Sequence, residues 1–228
     1  NIDKGFYDPE FTELYTKAEI DELNDYIKHE RDEVLTYAAM EQFRGKYLVQ
    51  NRATGEIFET PQVAYMMISA TLFAKYPADT RMSYVKAYYD AISLFKLSLP
   101  TPIMAGVRTN IRQFSSCVLV DIDDNLDGIF SSIHAVGKYT ARRAGIGLNI
   151  GRMRPINSPI RGGEVIHTGL IPYLKNFESA VKSTSQNGLR GGSATVHVPF
   201  WHYEIEDVLV LKNNAGTDDN RVRKLDYS

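Results

Sequence analysis

Cys117 is the single cysteine in 228 residues, set in Phe114-Ser-Ser-Cys-Val-Leu-Val120, a short apolar run that reads as a strand. A lone thiol excludes a disulfide within the chain and any multi-thiolate metal centre. Free cysteine commonly serves as a small buried hydrophobe. Acyl transfer would need an activating base, and none lies adjacent in sequence. The histidines suggest no metal site. His197 and His202 flank Pro199-Phe200-Trp201 at a spacing unsuited to one helical face, and His29, His134 and His167 are isolated. Gly145-Ile-Gly147-Leu-Asn-Ile-Gly151 imitates a dinucleotide fingerprint, but its glycines sit before and within a strand rather than between a strand and a helix. Tight packing, or close backbone approach to a ligand, fits that position better.

Charge points to a small anion. Residues 1–60 hold 14 acidic and 7 basic residues, and 61–228 hold 14 and 19, so a net charge of −2 conceals parts of −7 and +5. Lys138, Arg142, Arg143, Arg152, Arg154 and Arg161 follow one another with no acid between them. A solvated helix face running into a loop would explain this, as would a nucleotide site. A nucleic-acid track would run longer and interleave aromatics, and here only Tyr139 does, so no nucleic acid is expected. Arg154 and Arg161 lie in Gly151-Arg-Met-Arg-Pro-Ile-Asn-Ser-Pro-Ile-Arg-Gly-Gly163, a loop shaped by proline and glycine. Guanidinium forks match phosphate oxygens. Gly188-Leu-Arg-Gly-Gly192 forms a second loop of this kind. Asp123-Asp124 could bond a sugar or base, or sit near magnesium. Ordinary surface loops remain the plain alternative for each.

These residues must be positioned by elements that change character along the chain. Thr16-Lys-Ala-Glu19 reads as a capping box opening a helix through Ile20, Leu23 and Ile27. A second helix is expected over Asp32–Phe43. Lys46–Val49 and Glu56–Glu59 then form a hairpin around Asn51–Gly55. Pro61 starts a helix over Gln62–Tyr76, and Asp79 caps another over Arg81–Lys96. Twelve of 16 glycines lie between residues 101 and 193, and after Leu99-Pro-Thr-Pro102 the texture becomes short apolar runs. Strands are expected at Phe114–Val120, Ile146–Ile150 and Ala194–Val198, and helices at Leu126–Arg142, Ile166–Lys182 and Glu204–Leu211. Strand alternating with helix indicates a parallel α/β sheet with ligands at the strands' carboxyl ends.

Apolar residues at 43% and charged residues at 24% are ordinary globular values, which excludes disorder, collagen-like sequence and a pure coiled coil. No apolar run is long enough for a membrane span, so no membrane partner is expected. Asn1-Ile-Asp-Lys4 carries neither a signal peptide's apolar core nor an initiator methionine.

Several strings together resemble the large catalytic subunit of class I ribonucleotide reductases, of the bacterial and bacteriophage branch. They are Gly45-Lys-Tyr-Leu-Val-Gln-Asn-Arg-Ala-Thr-Gly-Glu56, Leu99-Pro-Thr-Pro-Ile-Met104, Arg112-Gln-Phe-Ser-Ser-Cys117, Arg143-Ala-Gly-Ile-Gly147, Ser158-Pro-Ile-Arg-Gly-Gly-Glu164, Leu209-Val-Leu-Lys-Asn-Asn214 and Arg221-Val-Arg223. The resemblance implies an α/β fold with a helical N-terminal region and short hairpin over 1–98, then the first part of a ten-stranded α/β barrel over 99–228. It implies reduction of ribonucleoside diphosphates to deoxyribonucleotides for DNA synthesis by thiyl-radical chemistry. Cys117 would be one member of the redox pair, and Thr101, Ser116, Cys117 and Gly145 would contact substrate. Asp124, Asn125 and Leu126, with Arg154 and Arg161 toward the phosphates, would hold the deoxynucleoside triphosphate or ATP effector with magnesium. A homodimer contact is implied near 126–142 and 166–182. Further implied partners are a radical-generating, metal-containing small subunit, and thioredoxin or glutaredoxin as electron source. No cofactor or metal would be bound directly by these residues. A cytoplasmic location is implied, in the host cytoplasm if a phage carries the gene.

Departures from the family pattern set a further expectation. The Asn-x-Cys-x-Glu motif, the second redox cysteine, the late phosphate-binding loop, the C-terminal cysteine pair and the ATP cone do not occur. Asn110-Ile111, Thr184 and Asn187 are smaller differences. The chain is therefore expected to be a fragment of a catalytic subunit that needs the remainder of the barrel and is inert alone. The competing expectation is a non-catalytic nucleotide-binding regulatory module.

Overall fold

A single turn, α1 (Glu10–Leu14), precedes α2 (Lys17–Tyr26), whose start is closed by the expected capping box. Thr16 accepts from Glu19 N at 3.3 Å, and the Glu19 carboxylate accepts from Thr16 N at 2.8 Å. The structure, a computed structural model, describes residues 1–111, 113–142, 144–184, 192–213 and 221–228. They form two units, Asn1–Phe114 and Ser115–Ser228.

The first unit departs from the expected second helix. A 3-10 turn spans His29–Val34, Leu35 and Thr36 are extended, and α3 (Tyr37–Gln42) starts afresh with the Thr36 hydroxyl accepting from Ala39 N. A wider helical turn, Phe43–Tyr47, follows, so Lys46 and Tyr47 are helical rather than part of the hairpin. That hairpin is shorter than expected, β1 (Gln50–Asn51) against β2 (Glu56–Ile57). Thr60 caps α4 (Pro61–Phe73), with proline at its first position. Ala64, Ile68 and Ala70 are fully buried, which makes α4 the centre of this unit's core. α5 (Ala78–Ser93) begins after Pro77 without a side-chain cap, and Asp79 lies in its first turn rather than before it. It ends at Ser93 because Phe95 takes a left-handed conformation, φ 57°. α6 (Thr101–Gly106) packs Ile103, Met104 and the adjoining Leu99 and Val107 into the same core, so the change of texture at Leu99 precedes the division between units.

Glu19 also pairs with Arg81, whose Nε and Nη2 reach its carboxylate at 2.9 and 2.6 Å. Burial pushes the Glu19 carboxyl up, but the bonds from Arg81 and Thr16 outweigh it and hold the group below its ordinary value. A depressed carboxyl stabilises the fold above its unfolded pKa of about 4.3, and this is lost as pH falls through the lower folded value. Unfolding temperature measured against pH is expected to fall less steeply below about pH 4.3 in Glu19→Gln than in the parent.

The second unit is a parallel sheet with helices. β3 (Cys117–Asp121) is followed by α7 (Leu126–Ala141), β4 (Gly145–Asn149), a hairpin of β5 (Pro159–Ile160) and β6 (Val165–Ile166), then α8 (Leu170–Ser183). β7 (Ala194–His197), α9 (Ile205–Leu209) and β8 (Asp226–Tyr227) complete it. The sheet order is β3-β4-β7-β8, each neighbour parallel. The alternating, helix-flanked arrangement matches the expected α/β class. The helix expected from Ile166 starts four residues later, because Val165 and Ile166 pair with β5. Strand periodicity of two divides the faces. Val118, Val120, Ile146, Leu148 and Val196 pack with Ile129, Val136, Leu174 and Phe177 of α7 and α8. The opposite face carries Cys117, Leu119, Asp121 and Asn149 and is open, with Leu119 82% exposed. Among the described residues no helix is long and apolar enough to cross a membrane.

Candidate functional site

Two places in the second unit gather chemistry-bearing residues. The first is the open sheet face. Cys117 is the first residue of β3, exposed, and in register with Gly145 at the start of β4. Gly145 N donates to Ser116 O at 2.8 Å, and the Ser116 hydroxyl lies 3.8 Å from Cys117 Sγ. The sheet therefore brings Ser116, Cys117 and Gly145 together at the amino ends of two neighbouring strands. The thiol faces solvent rather than the core. Thr101 belongs to the first unit, where it is the first residue of α6.

The glycine run that imitates a dinucleotide fingerprint lies in β4 and its exit. A Cβ on Gly147 would sit 2.6 Å from the end of the Leu119 side chain, which can move. One on Gly151 would meet the rigid Pro199 ring at 2.8 Å, so at Gly151 the need is close packing.

The second place is a cavity of about 510 Å³. Its lining includes all five residues named for the effector: Asp124, Asn125, Leu126, Arg154 and Arg161. The Asn125 side chain accepts from Gly128 N at 2.7 Å and starts α7, which places Asp124 and Leu126 on either side of a helix N-terminus. The Asp124 carboxylate receives Arg154 N at 3.1 Å and Arg154 Nε at 2.7 Å. Arg154 is thus oriented by Asp124 across 30 residues of sequence. Arg161 is exposed at the tip of the β5–β6 hairpin, in a left-handed conformation with φ 50°, and Gly162 and Gly163 are left-handed too. Asp123 lies outside the lining and meets Arg152 at 3.5 Å, while Arg152 also bridges to Asp121 at 2.8 Å.

Ile160, Val165, Ile166, His167, Thr168 and Tyr173 also line the cavity and supply a largely apolar and aromatic wall. Sequence reasoning missed this wall. The readable signal was a hairpin, Pro159-Ile160 and Val165-Ile166 around Gly162-Gly163. His167 is buried, stacks on Tyr173 with centroids 5.5 Å apart, and accepts from Gly169 N through Nδ1 at 3.2 Å. Arginines and an apolar, aromatic wall lining a cavity of this size suit an amphiphilic anion with an aromatic part.

The second arginine-glycine loop, 188–192, falls outside the described residues except for Gly192, and so do Arg112, Arg143, Asn187 and Asn214. His197 is on the open face near Ser228, whereas His202 is buried against Met153 O, so the two do not converge. Among the described residues no group of three or more His, Cys, Asp or Glu side chains is placed to hold a metal ion.

Comparison with known proteins places these features in a family. Residues 33–112 match the ribonucleotide reductase all-alpha domain, and residues 115–228 match the ribonucleotide reductase barrel domain. Ribonucleoside-diphosphate reductase 1 subunit alpha of Escherichia coli K12 is 55% identical over 226 residues, 99% of this chain and 30% of that protein. The subunit alpha of Haemophilus influenzae is 58% identical over 97% of the chain and 29% of its own length. That of Enterobacteria phage T4 is 49% identical over 99% and 30%. The chain spans about 30% of the length of these curated relatives.

Proposed function

The chain belongs to the ribonucleotide reductase large-subunit family, and from that membership we propose that it forms part of a catalytic subunit reducing ribonucleoside diphosphates to deoxyribonucleoside diphosphates. The observation that carries the proposal is Cys117, exposed at the start of β3 beside Gly145, in a unit matching the family's barrel domain. In this reading the sheet is the first part of a ten-stranded barrel and its open face is the interior. Cys117 is one of two thiols that together give up two electrons and two protons and become a disulfide. The ribose 2′-hydroxyl leaves as water, with hydrogen in its place. Ser116 and Gly145 hold substrate beside it.

A second thiol and the radical cysteine come from outside these 228 residues, because Cys117 is the single cysteine within them. The partners proposed are accordingly the remainder of the catalytic subunit, a metal-containing small subunit that supplies the radical, and thioredoxin or glutaredoxin as reductant. α7 exposes Leu126 and Phe130, 60% and 55%, which supports a homodimer contact along α7 and α8. A catalytic disulfide that must be re-reduced suits the cytoplasm.

The cavity between α7 and the hairpin is proposed to take a deoxynucleoside triphosphate or ATP effector with magnesium. Asp124, Asn125 and Leu126 lie at the sugar and base, and Arg154 and Arg161 at the phosphates. Two measurements on the native full-length protein test these readings. With its small subunit and a dithiol reductant it is expected to convert cytidine diphosphate to the deoxy form, and no conversion would overturn the catalytic assignment. Equilibrium binding of thymidine triphosphate is expected to weaken roughly tenfold to a hundredfold in Arg154→Ala, the range for losing a charged hydrogen bond. Unchanged affinity would remove the effector assignment. A non-catalytic nucleotide-binding module is the second reading. The location of the whole cavity within one unit favours it, and it predicts binding without conversion.

A further inference from the structure

We infer that Glu204 is a positioning residue for this cavity, fastening the loop that carries Arg154 to the start of α8, so that nucleotide affinity is set partly from behind the site. The inference rests on the cavity being a nucleotide site.

Glu204 is 4% exposed, and its carboxylate accepts backbone N–H groups from two distant segments. Ile156 N donates to Oε2 at 2.9 Å, and Leu170 N donates at 3.1 and 3.2 Å. Leu170 is the first residue of the 14-residue α8, which has no side-chain cap of its own. Its free N–H groups and the positive end of the helix dipole favour an anion there. The Glu204 carboxylate fills that role from 34 residues away. Ile156 is two residues past Arg154, and Tyr173 of the cavity wall lies in the first turn of α8. One carboxylate therefore ties the loop carrying Arg154 to the helix that carries Tyr173 of the cavity wall.

Two further features converge on the same point. His202 accepts from Glu204 N through Nδ1 at 3.1 Å, which leaves Nε2–H to donate to Met153 O at 3.0 Å, one residue before Arg154. The loop is thereby fastened on both sides of the arginine. Gly169, φ 87°, provides the necessary closeness: a Cβ there would lie 2.5 Å from Glu204 Oε1 and 3.0 Å from Ile156 Cβ. Only glycine satisfies both the backbone conformation and the approach.

The test uses the native full-length protein with thymidine triphosphate as probe. Glu204→Gln keeps the size but turns an amide N–H₂ toward N–H donors, so one acceptor must serve two segments. The half-saturating concentration of thymidine triphosphate is expected to rise about tenfold, while cytidine diphosphate turnover at saturating effector stays within about twofold. Glu204→Asp is expected to recover part of the affinity. Parent-like affinity in Glu204→Gln would overturn the inference, as would equal losses of effector affinity and saturated turnover, which mark a purely structural role. If parent and Arg154→Ala bind the nucleotide alike, it is the cavity reading that fails. Should Glu204→Gln not fold, amide hydrogen exchange on the parent decides: slow exchange at Ile156 and Leu170 without nucleotide supports the fastening, and rapid exchange at either overturns it.

Discussion

Cys117→Ser is expected to lower steady-state reduction of cytidine diphosphate by roughly a thousandfold or more, the scale seen when a group acting in the chemical step is removed. Serine is nearly isosteric and keeps a hydroxyl hydrogen, so the open sheet face and β3 pairing should persist. It cannot join a disulfide, and the reduction needs two sulfurs to yield two electrons. Cys117 is exposed on a strand end rather than packed in the core, so no cavity opens on substitution. Thymidine triphosphate binding should therefore be unchanged, because Cys117 is not part of the cavity lining. Turnover by thioredoxin-supplied enzyme checks the expectation. Retention of a tenth or more of parent activity would remove Cys117 from the redox step.

The second large effect concerns stability of the first unit. Arg108 and Glu59 form an ion pair in which neither side chain has any solvent exposure. The partners are fully committed: Arg108 Nη1 donates to Met104 O at 2.7 Å and Nη2 to Tyr47 O at 2.9 Å. The Glu59 carboxylate also accepts from Tyr7 Oη at 3.1 Å and from Val49 N at 2.7 Å. Burial, followed by the charge of Glu59 and its hydrogen bond, pushes the Tyr7 hydroxyl well above its ordinary value and keeps it a donor. Arg108→Met leaves the carboxylate buried and uncompensated, which is expected to cost about 3–5 kcal/mol. That is a large part of the roughly 5–15 kcal/mol that holds a domain folded. Chemical denaturation read by circular dichroism checks it. Glu59→Gln combined with Arg108→Met should recover much of the loss, since a neutral amide oxygen can still accept from Tyr7 or Val49.

Local rules made much of the fold readable. Thr16 and Glu19, proline at the head of α4 and the alternating runs that became β3, β4 and β7 each declare themselves within a few residues. The failures arise where distant contacts or competing caps decide. Asp32–Phe43 carries a helical pattern, yet Thr36 caps α3 afresh and Asp32 is drawn to Gln62 Nε2 at 2.8 Å. Val165 and Ile166 suit either a helix start or a strand, and pairing with β5 decides for the strand. For the candidate site, Arg154 and Arg161 stand out by charge and loop composition. Asp124 stands beside them as half of an acidic pair, only family resemblance adds Asn125 and Leu126, and the fold brings all five around one cavity. Glu204 could not have been found by spacing: its bonds to Ile156 and Leu170 span 48 and 34 residues.

The strand β3 also acts as a ruler. Its five residues carry the thiol at one end and Asp121 at the other, and Asp124 follows after three more. At about 3.3 Å per residue, the ends of the strand are about 13 Å apart. Adding or deleting one residue within the strand, between Cys117 and Val120, would turn Cys117 toward the helices while Val120 keeps its place against them. The same slip beyond Asp121 would draw Asp124 away from Arg154. The segment from 117 to 124 thus has a fixed length that point substitutions leave intact and single-codon insertions do not, so the proposed redox and effector sites share one tolerance for length.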